Sequence, residues 1–182
     1  MTVDGKKLIV LGVTGGIAAY KAADLCSKLA KKYAVQVIMT ENAQRFVGPL
    51  TFQTLSRRPV ITTLWENADW RPQHVELSCE ADLFICAPAT ANFIAKYANG
   101  IADDALSTFA ATFHGAVLVA PAMNPQMWSA PACIANVAVL KERGVHFAGP
   151  ADGDVACGAG GTGRMVEALE IMTAAVELLD RR

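Results

Sequence analysis

The feature that most constrains the fold is a repeated alternation of short apolar runs and stretches with helical periodicity. In the first unit, "KKLIVLGVTGG" is a β-favouring run that ends in glycines, and "IAAYKAADLCSKLAKKY" then places its apolar residues on one stripe. Five more strand-like runs follow: "AVQVIMT", "RPVITTLW", "ADLFICAPAT", "AVLVAPAM" and "VHFAGP". Alternating strands and helices form right-handed crossovers. The sequence therefore predicts an α/β fold, with a doubly wound parallel sheet and helices on both faces.

The length of 182 residues fits one domain, so we expect residues 1–182 to form a single Rossmann-like or flavodoxin-like unit. In such sheets ligands bind outside the carboxyl ends of the strands. The strand-end segments should therefore converge on one site; they are "GVTGG", "MTENA", "APATAN", "APAMN" and "GPADGDVACG". The amphipathic "MVEALEIMTAAVELLDRR" is predicted to be a closing helix.

Composition and charge exclude several classes of function. Hydrophobic residues make up 53% of the chain, which favours extensive burial, but no apolar run approaches the roughly 18 residues of a membrane span. The start of the chain lacks the pattern of a secretory signal, so a cytoplasmic location is the expectation. The net charge is −1 and basic residues are scattered, so we expect neither nucleic acid nor a membrane as partner.

The five cysteines form no CxxC pair, which argues against a disulfide framework and against a zinc site, so no metal is expected. Cys26, Cys86 and Cys133 lie in apolar patterns typical of buried thiols. Cys157 lies instead in "GDVACGAGGTGRM", which is predicted to be a loop and whose glycines permit close approach of the backbone to a ligand. The spacing alone does not distinguish a functional thiol from a sheltered one.

The glycines after the first strand favour a phosphate site, because they bring backbone N–H groups and a helix N-terminus together. The dinucleotide pattern GxGxxG and the lysine of a phosphate-binding loop are both absent from "GVTGGIA". Glu41 after the second strand could mimic the acidic ribose ligand of NAD-binding proteins. Without the glycine pattern, a mononucleotide fits better than NAD.

Two further segments have an ordinary structural interpretation. In "PAMNPQMW", Asn124 is predicted to be the N-cap of a helix, with Pro125 in its first turn and Met127 and Trp128 in the core. His74 precedes an amphipathic stretch, where a lone histidine is more often a surface residue than a catalyst.

Together these segments resemble a known family, the homo-oligomeric flavin-containing cysteine decarboxylases. The resemblance covers essentially the whole chain, which implies one FMN-binding flavoprotein domain over residues 1–182. Its most specific parts are "PAMNPQMW", similar to the family's PxMNxxMW, and "ACGAGGTGRM", similar to its substrate-clamp segment. The agreement is best with members that act on 4′-phosphopantothenoylcysteine in coenzyme A biosynthesis.

The resemblance implies FMN as cofactor and decarboxylation to 4′-phosphopantetheine through a thioaldehyde and an enethiolate. It implies three catalytic residues: His74 as base or electrostatic partner, Asn124 as ligand of the substrate carboxylate, and Cys157 as proton donor. Cofactor binding would fall to Gly15, Gly16 and Thr40 at the phosphate, and to Ala87, Thr90, Asn92 and Met123 at the flavin. Substrate binding would fall to Asn124, Ala156, Cys157, Gly158, Arg164 and Met165.

The resemblance also implies partners. Family members place FMN at a subunit interface in trimers or assemblies of trimers, so a homotrimer or such an assembly is expected. Many relatives are fused to a phosphopantothenoylcysteine synthetase; this sequence ends one helix after the clamp, so the synthetase is expected to be either missing or encoded elsewhere as a separate chain. The chain departs from many relatives in "CGAGG", which lacks an acidic residue after the glycine.

Three alternatives belong to other classes. A peptidyl-cysteine decarboxylase of the lantibiotic type would share His74 and Asn124, but it stops at the enethiol and does not need Cys157. A prenyl-transferring flavin protein should lack "PAMNPQMW". A non-catalytic flavin-binding regulatory subunit would not need the complete set of His74, Asn124 and Cys157.

Overall fold

A five-stranded parallel sheet forms the centre of the molecule. The computed structural model describes residues 5–65, 73–154, 158 and 160–181. The strands of the sheet are β1 Leu8–Val13, β2 Ala34–Met39, β3 Leu83–Ala89, β4 Ala116–Pro121 and β5 His146–Phe147. Their spatial order is β2-β1-β3-β4-β5, and every neighbouring pair is parallel. The predicted doubly wound α/β fold is confirmed.

Helices cover both faces of the sheet. They are α1 Ala19–Leu29, α2 Pro49–Ser56, α3 Gln73–Glu80, α4 Ala91–Asn99, α5 Ala105–Thr112, α6 Pro125–Trp128, α7 Pro131–Glu142 and α8 Ala168–Asp180. A short 3-10 helix, Glu41–Arg45, follows β2. No helix in the described ranges is long and apolar enough to cross a membrane.

The sheet separates two apolar cores, because successive side chains of a strand point to opposite faces. On one face, Ile9 and Leu11 of β1 pack with residues of α1 and α8. On the other face, Val10 packs with residues of α4, α5 and α7, where Phe84 and Phe109 meet edge to face with ring centroids 5.2 Å apart. All six residues of β1 and all seven of β3 are buried, as in a central parallel strand.

The strand order 2-1-3-4-5 is that of the flavodoxin-like fold. The chain leaves β1 to form β2 on one side and then crosses over to form β3 on the other side. This reversal creates a crevice between the carboxyl ends of β1 and β3, which is where open α/β sheets bind ligands.

Two expectations about secondary structure were wrong. The strand predicted over "RPVITTLW" is reduced to one parallel bridge between Ile61 and Ile38, next to Pro59, which has no N–H to donate to a ladder. The glycine-rich segment, predicted as a loop, contains an antiparallel ribbon of β6 Ala151–Asp154 and β7 Gly160–Arg164. Few β-favouring side chains mark this ribbon, so backbone pairing defines it.

Candidate active site

A cavity of about 1120 Å³ opens at the carboxyl ends of the strands. Its volume lies just above the upper end of the roughly 300–1,000 Å³ typical of small-molecule sites, so it has room for a nucleotide-sized ligand. Segments that follow β1, β2, β3 and β4 line it, as predicted, whereas the described residues of "GPADGDVACG" do not and the end of β7 lines it instead. The lining residues include Thr14, Gly15, Gly16, Lys21, Thr40, Thr90, Asn92, Met123, Asn124, Arg164 and Met165.

One end of the cavity suits a phosphate. The N-cap of α1, Ala18, makes no side-chain capping hydrogen bond, and the first N–H groups of the helix, those of Ala19, Tyr20 and Lys21, donate to carbonyls of the preceding turn. Such a helix end attracts anions. Gly15 lies against Asn42 so closely that a Cβ at Gly15 would lie 2.9 Å from the carbonyl carbon of Asn42. Only glycine fits there without displacing the loop after β2.

Two threonine hydroxyls lie along the cavity wall because both residues are helix N-caps. The Thr40 hydroxyl accepts the Ala43 N–H at 3.3 Å, and the Thr90 hydroxyl accepts the Phe93 N–H at 3.4 Å. A hydroxyl that accepts a hydrogen bond still has its own O–H to donate. Each threonine can therefore donate to a bound anion or polyol while it caps its helix.

Thr14 joins the ends of β1 and β3, and the sequence reasoning missed it. It is only 2% exposed. Its hydroxyl donates to the Pro88 carbonyl at 2.6 Å and accepts the Thr90 N–H at 3.1 Å. The signal in the sequence was a lone polar residue between the apolar strand and the glycines of "GVTGG".

Asn124 follows β4 and is the N-cap of α6, as predicted. Its side-chain oxygen accepts the Gln126 N–H at 2.8 Å, and the residue also lines the cavity. The prediction that Met127 belongs to the core was wrong, because its side chain lines the cavity and is 50% exposed. Trp128 packs, partly buried, against the core on the α7 side. The "PAMNPQMW" segment thus presents polar and apolar groups to one ligand space.

The β6–β7 ribbon lies against this segment. The Met123 N–H donates to the Gly163 carbonyl at 3.0 Å. A Cβ on Gly163 would collide with the Met123 carbonyl oxygen and lie 3.2 Å from the Pro125 nitrogen. Arg164 and Met165 then line the cavity, whereas Gly158, exposed with φ +77°, does not. Ala156 and Cys157 lie outside the described residues.

Charged groups at the cavity form two ion-paired clusters. Lys21 Nζ lies 2.6 Å from a Glu167 carboxylate oxygen, and this hydrogen bond lowers the pKa of Glu167. Lys96 Nζ lies 2.6 Å from Asp103 and 3.0 Å from Asp104. Burial lowers the pKa of Lys96, but hydrogen bonds to the two carboxylates outweigh it and raise the pKa overall. The hydrogen bond from Lys96 lowers the pKa of Asp103.

Besides Gly158, two predicted site residues are not brought to the cavity of the single chain. His74 is half-buried on α3 and is not among the described residues that line the cavity. Ala87 is completely buried in β3 and packs into the core beside α1 and α8, so its side chain faces away from the cavity surface. The other described residues predicted to bind cofactor line the cavity: Gly15, Gly16, Thr40, Thr90, Asn92 and Met123.

The cysteines predicted as core residues are buried. Cys26 and Cys86 have no exposed surface, and Cys133 is 6% exposed. Burial raises the pKa of Cys26 to about 12 and raises that of Cys86 well above the usual range. Within the described ranges, no group of three or more metal-ligating side chains is placed to hold a metal ion. These thiols are structural.

The fold and the site define a flavodoxin-like α/β protein with a nucleotide-sized cavity at its topological switch point. A sequence model of the flavoprotein family matches residues 2–180, and the chain belongs to this family. Among curated relatives, the "Coenzyme A biosynthesis bifunctional protein CoaBC" of Vibrio vulnificus is 46% identical over 173 residues, which are 94% of this chain and 43% of that protein. The chain spans less than half the length of the curated relatives it matches.

Solved structures agree along nearly the whole chain. A mutant PPC decarboxylase complexed with pantothenoylaminoethenethiol matches with a TM-score of 0.86 and 27% identity, covering 97% of this chain and 100% of that one. The FMN-dependent cysteine decarboxylase SpaF matches with a TM-score of 0.83 and 28% identity, covering 96% of each chain.

Proposed function

We propose that the protein is an FMN-dependent phosphopantothenoylcysteine decarboxylase, a carboxy-lyase that converts 4′-phosphopantothenoylcysteine to 4′-phosphopantetheine in coenzyme A biosynthesis. One observation carries the proposal: a single cavity joins the N-terminal end of α1 to Asn124 and to the base of the β6–β7 ribbon. The similarity to CoaBC and to PPC decarboxylase supports this choice of substrate.

The residues present fit FMN. The uncapped start of α1, the tight contact of Gly15 with Asn42 and the hydroxyl of Thr40 form a cradle for one phosphate. Thr90 and Asn92 add polar groups farther along the wall. Bound there, FMN supplies reversible hydride transfer, which permits passage through a thioaldehyde and lets CO₂ leave as an enethiolate forms.

Asn124 orients the substrate. Its Oδ1 accepts the Gln126 N–H, which fixes the rotation of the side chain where it lines the cavity, and we propose that Asn124 binds the substrate carboxylate there. A protonated side chain must then donate a proton to the enethiolate so that the saturated product forms. We assign this proton transfer to the Cys157 thiol, because a thiol with a pKa near 8.5 is a far stronger acid than a hydroxyl.

His74 requires a second copy of the chain. It does not line the cavity of its own subunit, so we propose that it acts as base or electrostatic partner in a neighbouring site of a homotrimer or assembly of trimers. Two apolar side chains at the cavity, Ile17 and Tyr20, are 58% and 60% exposed, which supports coverage of the cavity by another subunit. We further propose a cytoplasmic enzyme that receives its substrate from a phosphopantothenoylcysteine synthetase.

The test is an anaerobic incubation of purified holoenzyme with 4′-phosphopantothenoylcysteine and no added oxidant. We expect one CO₂ per saturated product, measured by gas analysis and mass spectrometry. Cys157→Ser should still release CO₂ in the first turnover, but should accumulate an unsaturated thiol lighter by two hydrogens. Decarboxylation of a peptide with a C-terminal cysteine, with none of phosphopantothenoylcysteine, would overturn the proposed substrate.

A further inference from the structure

We propose that Lys21 is a positioning residue that fixes the base of the β6–β7 ribbon and thereby controls how much of the substrate leaves in saturated form. The inference rests on the proposed function and adds a residue that the sequence motifs did not single out. Lys21 is the third residue of α1, close to the phosphate end of the cavity.

The Lys21 ammonium group binds two acceptors at the point where the ribbon ends. Its Nζ donates to the Met165 carbonyl oxygen at 3.3 Å and to a Glu167 carboxylate oxygen at 2.6 Å. The side chain is only 13% exposed. Hydrogen bonds between ionised groups are roughly twice as strong as neutral ones, and burial of the Lys21 side chain limits their screening although the Glu167 side chain is 57% exposed.

The two acceptors belong to the connection between β7 and α8. Met165 follows β7 directly and is 1% exposed. Glu167 is the N-cap of α8, where its own N–H donates to a Glu170 carboxylate oxygen at 2.9 Å. Lys21 therefore ties α1, the end of the ribbon and the start of α8 together at one point.

The ribbon has a second attachment on the other side of Arg164. There, the Gly163 carbonyl accepts the Met123 N–H, and Gly163 lies directly against the segment that carries Asn124. Two attachments that flank one residue fix both the position and the direction of β7 relative to the cavity. Without the Lys21 hydrogen bonds, the packing of Met165 and Val166 in the core still holds the ribbon, but its direction relative to the cavity is less tightly fixed.

This geometry has a chemical consequence. Cys157 belongs to the segment that joins β6 to β7, and the proposed reaction needs its proton only after CO₂ has left. A misplacement of about 1 Å can slow a reaction by two orders of magnitude. Without Lys21, proton delivery slows while oxidation and decarboxylation continue, so more substrate leaves as unsaturated thiol. Each unsaturated molecule leaves one equivalent of reduced FMN behind, which balances the electrons.

The experiment measures the ratio of unsaturated to saturated product in an anaerobic single turnover of holoenzyme, by mass spectrometry. Lys21→Met should raise this ratio by on the order of tenfold, and Lys21→Arg should restore most of the wild-type value. Lys28→Met is the matched control, because Lys28 lies on the same helix and pairs with Asp24 at the surface. It should leave the ratio unchanged.

The ratio does not depend on the fraction of active enzyme, so partial misfolding does not change it. If Lys21→Met yields no folded protein, Glu167→Gln removes the charge from the other side of the link and should shift the ratio in the same direction. An unchanged ratio in the Lys21 and Glu167 variants, or an equal rise in Lys28→Met, would overturn the inference. Absence of CO₂ from the wild type would instead overturn the proposed function.

Discussion

Replacing Thr14 with valine tests the link between β1 and β3 at the centre of the site. Valine has nearly the same shape as threonine but lacks the hydroxyl that donates to the Pro88 carbonyl and accepts the Thr90 N–H. The Pro88 carbonyl keeps a longer bond of 3.3 Å from the Thr14 N–H, so it is not stranded. The Thr90 N–H loses its acceptor.

The cost follows from these two losses. A net hydrogen bond contributes roughly 0.5–1.5 kcal/mol, and a buried donor without an acceptor costs roughly 1–3 kcal/mol. Thr90 is partly buried, which favours the lower values, so we expect a loss of about 2 kcal/mol. For a domain of this size that corresponds to a fall in Tm of about 4–8 °C. Thr14→Ser keeps the hydroxyl and should lose less.

The assay is thermal unfolding of the apoprotein followed by circular dichroism, because bound cofactor would add its own stabilisation. Thr14→Ser is the matched control, since it removes only a methyl group. Equal Tm values for the valine and serine variants would refute the reasoning, because the hydroxyl would then contribute nothing to the junction of the two strands.

Two other predictions use local contacts. Gly163→Ala should destabilise the protein by about 1–3 kcal/mol in urea unfolding and impair turnover, since the added Cβ would collide with the Met123 carbonyl. Gly160→Ala in the same strand is the control and should be near neutral, because its Cβ would meet no atom within 4 Å. Alkylation of native protein at pH 8, read by peptide mass mapping, should label the exposed Cys79 and should not label Cys26 and Cys86 until the protein unfolds. Labelling of all three at equal rates would contradict the burial of Cys26 and Cys86.

Local signals predicted much of the fold and part of the site. The apolar run before "TGG" predicted the first strand, and the amphipathic segment after it predicted the first helix. Hydrophobic periodicity and turn-forming glycines are signals that extend over only a few residues. The Asn-Pro pair likewise identified Asn124 as an N-cap. Met127 was misplaced because helical periodicity does not show whether an apolar side chain faces a core or a cavity.

Long-range contacts explain what the sequence could not reveal. The Thr14 hydroxyl bonds to a carbonyl 74 residues away, and Lys21 bonds to one 144 residues away. No spacing rule connects such positions in a single sequence. The apolar run around Ile61 resembled a strand, yet only this residue pairs with β2. Whether a strand extends depends on its contacts with the neighbouring strand, and the local sequence does not show these.

The cavity walls come from segments scattered over most of the chain, from Thr14 to Glu167, and they meet only because a parallel sheet has paired non-adjacent strands. Such pairing has to overcome the entropy of closing long loops. A partly folded chain therefore has no binding site to offer, and cofactor affinity is linked to global folding. At a free ligand concentration of about 100 times Kd, that linkage adds about 2.7 kcal/mol to the stability of the native state. The fraction of a preparation that carries bound FMN, visible as its yellow colour, would then measure the fraction of the protein in which the sheet has formed.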